Sequence, residues 1–194
     1  MVSLRERKKT KAKVLIQEQA LRLFAKQGYG ATTVEQIAEA AEVSASTFFR
    51  YFQTKEAAVL YDSLDPIIIE AIRQQPPELS VIRALREAIK TTFQELTEEK
   101  MKLEMERAEL LRTIPSLRAA MMDEMVRNID MLAVIVAERT NRKPDDIAVR
   151  NVAGAVIGVG MAAMLQANKR PKEIDSIMAF DDALAHLENG LEFC

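Results

Sequence analysis

The side chains best suited to a binding chemistry form one short polar run in the first third of the chain, Ser44-Ala45-Ser46-Thr47. Hydroxyl groups, backbone N–H groups and an alanine methyl can reach phosphate oxygens and thymine methyl groups at close range. Long side chains at the same positions would hold a helix away from the base edges. The run therefore predicts contact with DNA rather than catalysis.

Aromatic side chains follow this run at once, in the segment Phe48-Phe49-Arg50-Tyr51-Phe52. A helix this short cannot bury all four aromatic rings against one core. Some of the rings must pack beneath the helix, and others must face the duplex. The same segment also carries Arg50, whose charge suits a phosphate.

The segment before this polar and aromatic run is predicted to form a separate short helix that begins near Thr33. Thr33 precedes Gln36 by three residues and Thr32 precedes Glu35 by three, so either pair is able to form a capping box. Apolar residues then recur with helical spacing and would face inward. They are Val34, Ile37, Ala38 and Ala41.

The helical pattern breaks at residues 42–44, where Val43 is placed to fill the angle between two helices. Ser44 is a good N-cap for a second helix, which we expect to run to about Phe52. Two short helices around a tight turn, the second one polar and aromatic, are typical of a helix-turn-helix that reads the major groove.

The order and spacing of several short motifs resemble the TetR (tetracycline repressor) family. The motifs are Gly28-Tyr29 after an amphipathic helix, Thr32-Thr33-Val34, Ile37-Ala38, Val43-Ser44, Thr47, Phe49 through Phe52 and Lys55-Glu56. Each match is short, but their order over roughly fifty residues is specific. The resemblance implies a three-helix DNA-binding domain, an all-helical effector domain and a two-fold dimer.

The resemblance also assigns roles to individual residues. Thr33 would contact a phosphate at the second helix, and Lys55 would anchor the DNA backbone at the head of the fourth. Residues 44–47 would contact bases and phosphates. The predicted DNA-binding residues are Thr33, Ser44, Ala45, Ser46, Thr47, Phe49, Arg50, Tyr51 and Lys55.

Two residues depart from the family pattern. Glu42 stands in the turn where the family usually has glycine, and a left-handed residue other than glycine costs up to about 1 kcal/mol. Phe49 stands where the family usually has tyrosine, so it lacks the hydroxyl group that would contact a phosphate. We expect Tyr51 to supply that hydroxyl group instead.

Positive charge is concentrated at the N-terminal end, although the net charge of the chain is −2. Residues 1–55 contain ten Lys or Arg and five acids, which gives a net charge of +5. Either these cations follow phosphates and make binding fall with salt, or they form a solvated, frayed terminus. The run that precedes the first apolar turn comprises Arg5, Arg7, Lys8, Lys9, Lys11 and Lys13.

Helical patterns continue to the end of the chain, and no sustained alternation predicts a strand. A fourth helix from Thr54 or Lys55 toward Gln74 contains Pro66, which would kink it or end its first half near Leu64. We therefore predict an all-α fold of about nine helices, with a helix-turn-helix domain at residues 1–53 and an effector-binding and dimerisation domain at 54–194. The later helices are predicted at residues 79–96, 99–113, 116–139, 144–168 and 173–189.

Methionine is frequent, with ten residues, and six of them lie in the two helices that would wall an effector pocket. Thioethers adapt to ligands of varied shape, but they also fill ordinary gaps in a core. The pocket candidates are Phe93, Met101, Met105, Met121 and Met125. Nearby charged residues either orient a ligand's head group or form solvated faces, namely Glu104, Arg107, Arg112 and Arg118.

A row of glycine and alanine residues in the helix from Pro144 would let another helix approach closely. That neighbour is either a helix of a second subunit, in a four-helix bundle across the two-fold axis, or a helix of the same subunit. With the family resemblance, the first alternative is preferred. The interface candidates are Gly154, Gly158, Met161, Leu165, Leu184 and Leu187.

Catalytic and metal sites find little support in the composition. The chain has one histidine, His186, and one cysteine, Cys194, so we expect no catalytic residues, no metal and no cofactor. The apolar run at residues 152–165 is about fourteen residues, short of the roughly twenty that cross a bilayer, so a buried helix is expected. A cytoplasmic protein without a membrane partner follows.

Three functions are compatible with these patterns. The first is a homodimeric repressor that binds a palindromic operator in double-stranded DNA and responds to a small apolar or amphipathic effector. The second is a DNA-binding or architectural protein without a small-molecule switch. The third is a partner-binding or membrane-surface protein that uses the basic N-terminus. The order of the DNA-binding motifs favours the first.

Overall fold

The structure is a computed structural model that describes residues 3–166 and 176–191, and these residues form helices and connecting turns. The predicted all-α fold is confirmed. The helices are α1 Leu4–Gln27, α2 Val34–Ala40, α3 Ala45–Tyr51, α4 Lys55–Leu60, α5 Asp65–Gln74, α6 Val81–Gln94, α7 Glu98–Thr113, α8 Pro115–Thr140, α9 Ile147–Gln166 and α10 Ser176–Glu188.

One compact unit comprises Met1–Ser63 and Glu98–Met121, and it holds α1 to α4, α7 and the start of α8. Helix α1 packs against α2, α3, α4 and α7, and α4 also packs against α7. The first four helices bury their apolar stripes because the spacing of these residues places them on inward faces. The buried side chains include Ile16, Leu21, Phe24, Ile37, Phe48 and Val59.

The second compact unit comprises Leu64–Thr97 and Met122–Cys194. Its helix α6 packs against α5 and α10, and α10 packs against α9. The core is built from short aliphatic side chains of α5, α6, α8, α9 and α10. Examples, one from each helix in that order, are Ile72, Ala88, Val136, Ala153 and Leu184. The predicted domain boundary between residues 53 and 54 stays a prediction.

The basic N-terminal run is helical, since α1 begins at Leu4. The Ser3 hydroxyl caps this helix by accepting a hydrogen bond from the backbone N–H of Glu6 at 3.2 Å. At the other end, Gly28 has a φ of 88°, and its N–H bonds the carbonyl of Phe24. Helix α1 therefore ends at a glycine cap, directly after the amphipathic stretch that precedes the Gly28-Tyr29 motif.

The predicted fourth helix is divided into α4 and α5, which adds one helix to the nine or so expected. Helix α4 ends at Leu60, and Pro66 lies in the first turn of α5, where its missing N–H leaves no helical hydrogen bond unmade. The predicted helix is therefore interrupted rather than kinked. The interruption begins at Leu60, four residues before Leu64, where Pro66 was expected to end the first half. It follows that another interaction ends α4.

Helix α9 corrects the expectation of a buried helix. Residues Ile147–Leu165 are long and apolar enough to cross a membrane by length and composition alone, and 17% of this stretch is buried inside the protomer. The apolar run was underestimated because Ile147 and Val149 extend it toward the N-terminus. One such helix is weak evidence for a membrane span. It shows instead that much of α9 is only partly covered by the described residues.

The remaining helix limits agree with the sequence to within a few residues. Helix α9 begins at Ile147 rather than at Pro144, because the Asp146 carboxylate accepts the N–H of Ala148 at 2.8 Å in its first turn. The predicted end at residue 168, the break at Arg170-Pro171 and the start at residue 173 lie outside the described residues, as does Cys194.

Candidate nucleic-acid interface

The start of α2 is fixed by a capping box. The Thr33 hydroxyl accepts the N–H of Gln36 at 3.3 Å, and the Gln36 side chain accepts the N–H of Thr33 at 3.0 Å. The alternative Thr32 is buried, and its hydroxyl donates to the carbonyl of Gly28 at 2.8 Å. Of the two capping pairs that the sequence allowed, the structure contains the one with Thr33.

The turn between α2 and α3 contains the departure predicted at Glu42. Its φ is 53°, in the left-handed region that glycine adopts at low cost. The next N–H, from Val43, donates to the carbonyl of Ala38 at 2.9 Å and closes the end of α2. The turn therefore keeps the geometry of a helix C-cap, with backbone strain at a residue whose carboxylate is exposed.

The first turn of α3 carries a cluster of three hydroxyl groups. The Ser44 oxygen caps the helix by accepting the N–H of Thr47 at 3.1 Å. It also lies 2.9 Å from the hydroxyl groups of Ser46 and Thr47. Ser44 and Ser46 are exposed, and Ala45 and Thr47 are half-buried. The turn thus presents short polar groups to solvent at the N-terminal end of α3, a helix of seven residues.

The aromatic residues of α3 divide between core and surface, as their number required. Phe48 and Phe52 are buried, and their rings lie 5.9 Å apart. Phe49 is 50% exposed, and Tyr51 is half-buried. The Arg50 guanidinium lies 5.2 Å from the centre of the Tyr51 ring and reaches back to the Thr47 hydroxyl. These two side chains continue the polar surface from the hydroxyl cluster.

Lys55 holds the loop between α1 and α2. Its ammonium group donates to the carbonyls of Tyr29 and Thr32, at 2.9 and 3.2 Å, and lies 4.3 Å from the centre of the Tyr29 ring. The neighbouring Glu56 accepts a hydrogen bond from the Tyr29 hydroxyl at 2.5 Å. Lys55 therefore has a structural role here, and its contact with DNA stays a prediction.

This loop contact is stable across the neutral pH range. Burial first, and then Glu56, raise the pKa of the Tyr29 hydroxyl above its usual value. Burial acts to raise the pKa of Glu56, but the hydrogen bond from Tyr29 and other donors outweigh it and lower that pKa. Tyr29 accordingly remains a donor and Glu56 an ionised acceptor.

The end of α4 is held by two side chains that the sequence patterns did not identify. Gln17 of α1 is buried and donates to the carbonyls of Ala58 and Tyr61, at 3.0 Å for Ala58. Arg107 of α7 donates from Nε to the carbonyl of Val59 at 2.9 Å and from Nη2 to that of Leu60 at 3.3 Å. The last carbonyls of a helix need donors from outside it, so these side chains stabilise an end of α4 at Leu60.

Two carboxylates surround the Arg107 guanidinium. Its Nη1 lies 3.1 Å from Asp62 and 3.3 Å from Glu104. Burial raises the pKa of Glu104, although Arg107 opposes the shift. Neither alternative expected for the charged residues near the pocket describes Arg107, since its donors are directed at α4. The signal in the sequence was a Glu-x-x-Arg pair on α7, which is too common to be informative.

The pocket candidates are divided between the two units. Met101, Met105 and Met121 belong to the first unit, where Met105 is 52% exposed and the other two are half-buried. Phe93 and Met125 belong to the second, where Phe93 packs against the core. The effector pocket stays a prediction.

The interface candidates lie on α9 and α10. A Cβ atom added to Gly154 or Gly158 would meet no atom within 4 Å, so open space lies above both. Met161 and Leu187 are half-buried, and Leu165 is 43% exposed. Leu184 is fully buried in the protomer's own core, so its side chain is not available to a partner in this conformation.

Gly160 differs from the other two glycines of α9. A Cβ atom there would lie 2.5 Å from Cε2 of Phe180 on α10. Both alternatives for the row of small residues therefore have a counterpart in the structure. Gly160 admits a helix of the same protomer, and Gly154 and Gly158 leave space for something else.

Comparison with protein families gives two matches that together cover most of the chain. Residues 16–60 match the family model described as bacterial regulatory proteins, tetR family. Residues 79–192, more than half of the chain, match the model described as the MftR C-terminal domain. The first match contains α2, α3 and α4, and the second begins just before α6.

Individual proteins agree with these matches. The HTH-type transcriptional regulator TcmR of Streptomyces glaucescens is 32% identical over 150 residues, which are 74% of this chain and 66% of TcmR. The chain thus spans just under two thirds of the length of that relative. The putative mycofactocin biosynthesis transcriptional regulator MftR of Mycobacterium tuberculosis is 26% identical over 76% of this chain and 75% of MftR.

Solved structures share the fold. FadR of Thermus thermophilus, a TetR family transcriptional repressor solved with lauroyl-CoA, superposes with a TM-score of 0.59 at 22% identity, over 94% of this chain and 96% of FadR. A TetR-family regulator from Mesorhizobium loti gives a TM-score of 0.52 at 22% identity, with the same coverage. Taken with the matches to family models, the capped helix-turn-helix and the all-α fold show that this chain belongs to the TetR family of DNA-binding transcriptional regulators.

Proposed function

We propose that the protein is a homodimeric repressor that binds a palindromic operator and is controlled by a small apolar or amphipathic effector in the cytoplasm. The observation that carries the proposal is the exposed hydroxyl cluster on the first turn of α3, formed by Ser44, Ser46 and Thr47. Short polar groups at this position let a helix approach base edges and phosphates closely. The caps of α2 and α3 hold the cluster in place before DNA binds.

Dimerisation through α9 is supported by its uncovered apolar surface. Only 17% of the Ile147–Leu165 stretch is buried among the described residues, so a protomer would gain stability by covering the partly exposed apolar side chains with a second copy. The open space above Gly154 and Gly158 would allow two such helices to approach closely. A two-fold dimer would present its two α3 helices to successive major grooves about 34 Å apart, and hence to a palindrome.

Effector control would act on that separation. A ligand that binds better to a dimer with a different spacing lowers DNA affinity by its differential binding free energy. The methionine-rich segments of α7 and α8 suit an apolar or amphipathic molecule. The lauroyl-CoA bound to FadR is an amphipathic ligand held by this same fold.

The first test is selection of bound sequences from random duplex DNA at near-physiological salt. We expect a two-fold symmetric motif whose half-sites lie about one helical turn apart. Binding without any motif, weakening steeply with salt, would contradict a sequence-specific repressor. Release of the selected duplex by members of a panel of amphipathic molecules would then identify the effector class, and a panel without effect would favour the protein without a switch.

A matched pair of threonine substitutions tests the hydroxyl cluster. Thr47→Ala should weaken binding of the selected operator by about fivefold for each protomer, because a hydrogen bond to DNA is worth on the order of 1 kcal/mol. Thr91→Ala removes the same groups from an exposed position on α6 and should leave the affinity unchanged. Equal affinities of the two variants would remove Thr47 from the contact surface.

A further inference from the structure

The first two turns of α1 and the end of α3 enclose an open groove of about 830 Å³ within the first unit. Arg50 and Tyr51, which continue the polar surface of α3, form one side of it. The other side comes from the N-terminal basic run. The lining residues are Leu4, Arg5, Glu6, Lys8, Lys9, Arg50 and Tyr51.

Helical spacing divides the basic run into two faces. Arg5, Lys8 and Lys9 stand at i, i+3 and i+4 and share the face that lines the groove. Arg7 and Lys11 also stand four residues apart, but neither lines the groove. The chain therefore offers two Arg/Lys pairs of equal charge and spacing on one helix, and one of the pairs faces α3.

The charge of the groove is not balanced by the protein. Four cations line it against the single carboxylate of Glu6. None of these four cations forms a salt bridge with a described residue, whereas many cations elsewhere in the described chain do. Burial, followed by repulsion from Lys9, lowers the pKa of Lys13 one turn further along α1. A positive potential without an internal counterion attracts anions.

We propose that this groove holds the phosphodiester backbone of DNA beside the bases that α3 contacts. The inference rests on the proposed function and adds a second, sequence-independent contact to it. A duplex is the anion that suits the position, since Arg50 and Tyr51 belong to both the groove and α3. Each neutralised phosphate releases condensed counterions, so the groove contributes affinity that falls with salt.

The test compares the two matched pairs in the full-length protein. The double variant Arg5→Gln/Lys9→Gln removes two cations from the groove, and Arg7→Gln/Lys11→Gln removes two from the other face. Affinity for the selected operator and for a duplex of unrelated sequence is measured by fluorescence anisotropy at several salt concentrations. Circular dichroism confirms that both variants keep their helical content.

We expect the groove variant to reduce the slope of log affinity against log salt by about 1.8 per protomer, hence by about 3.6 for a dimer. The reduction should be the same on both duplexes, so that the ratio of their affinities is unchanged. The control variant should keep the slope of the unmodified protein. Equal slopes for the two variants, or an unchanged slope for the groove variant, would overturn the proposal.

Vesicles of phosphatidylglycerol and phosphatidylcholine distinguish lipid phosphates from DNA phosphates. If the groove variant loses vesicle binding while its DNA slope is unchanged, the groove is a lipid site and the proposal is wrong. Failure of the repressor function is a separate result, because it would appear as a selection without a symmetric motif for the unmodified protein. A difference in slope between the two variants on unrelated DNA would support the groove even then.

Discussion

Replacement of Arg107 by methionine should destabilise the protein strongly. The Arg107 side chain is 12% exposed, and methionine keeps its aliphatic part while removing every donor. The carbonyls of Val59 and Leu60 would lose their donor, and Glu104, which is 15% exposed, would lose its closest cation. Breaking a buried ion pair costs about 3–5 kcal/mol, and burying an unpaired carbonyl costs about 1–3 kcal/mol.

These losses overlap, because one guanidinium makes all of the contacts. Water can also reach Leu60, which is half-buried. We therefore expect the free energy of unfolding to fall by about 3 kcal/mol rather than by the sum. The assay is urea unfolding at a fixed protein concentration, followed by circular dichroism, since the proposed dimerisation would make stability depend on concentration.

The matched control is Arg127→Met. Arg127 pairs with Glu124 three residues earlier on α8, as Arg107 pairs with Glu104 on α7, but its side chain is 61% exposed. An exposed pair of this kind contributes little. We expect the unfolding midpoint of this variant to match that of the unmodified protein. If both variants unfold at the same urea concentration, Arg107 does not hold the end of α4.

The pH dependence identifies the unpaired charge. The pKa of Glu104 in the folded protein lies above its unfolded value because of burial. Between those two values the folded state binds more protons, so stability rises as pH falls through the folded pKa. Removal of Arg107 should raise that pKa further and enlarge this gain. The double variant Arg107→Met/Glu104→Gln should recover part of the lost stability at pH 7, and no recovery would show that Glu104 is not the penalised group.

Three further predictions concern backbone geometry and helix packing. Glu42→Gly should raise the free energy of unfolding by up to about 1 kcal/mol, because glycine accepts a φ of 53° at low cost. The measurement is urea unfolding, and an unchanged or lower value would show that the turn is not strained. Gly160→Ala should lower the free energy of unfolding by about 1 kcal/mol, because overpacking against Phe180 costs about 1–3 kcal/mol and the better helix propensity of alanine offsets up to about 1 kcal/mol. Gly158→Leu should instead leave protomer helicity intact and weaken the dimer in sedimentation equilibrium, and an unaffected dimer would exclude this face.

The helix-turn-helix was predictable because its signals are local. A capping box joins residues three apart, so the sequence predicted Ser44 as a cap and gave Thr33 as one of two alternatives. The strained residue at Glu42 was also found, since a missing glycine is visible in a motif of fixed spacing. Local hydrogen bonds thus defined most of the surface that we propose to face DNA.

The end of α4 was not predictable, because its causes lie far along the chain. Gln17 is 41 residues from Ala58, and Arg107 is 48 residues from Val59. Sequence patterns identified Pro66 as the breaker, but proline suits the first turn of α5 and does not act on α4. Only the tertiary contacts show which side chains supply the missing donors.

The surroundings of α9 were likewise hidden from a hydropathy pattern. An apolar run predicts removal from water, but it does not say whether the covering surface belongs to the same protomer. Within the row of small residues, Gly160 faces Phe180 of the same protomer and Gly158 faces open space, so each of the two alternatives applies to a different glycine. Spacing along one helix could not separate them.

The hydrogen bonds from Arg107 to α4 would connect the proposed effector site on α7 with α4. Met101 stands one turn before Glu104 on α7, and Glu104 stands one turn before Arg107. A rigid helix that moves under a ligand at Met101 would carry Arg107 with it and displace the carbonyls of Val59 and Leu60. Four non-helical residues follow Leu60, so α4 would respond to that displacement as a helix of its own. In the proposed switch, the break in the fourth helix would then let α4 move with α7.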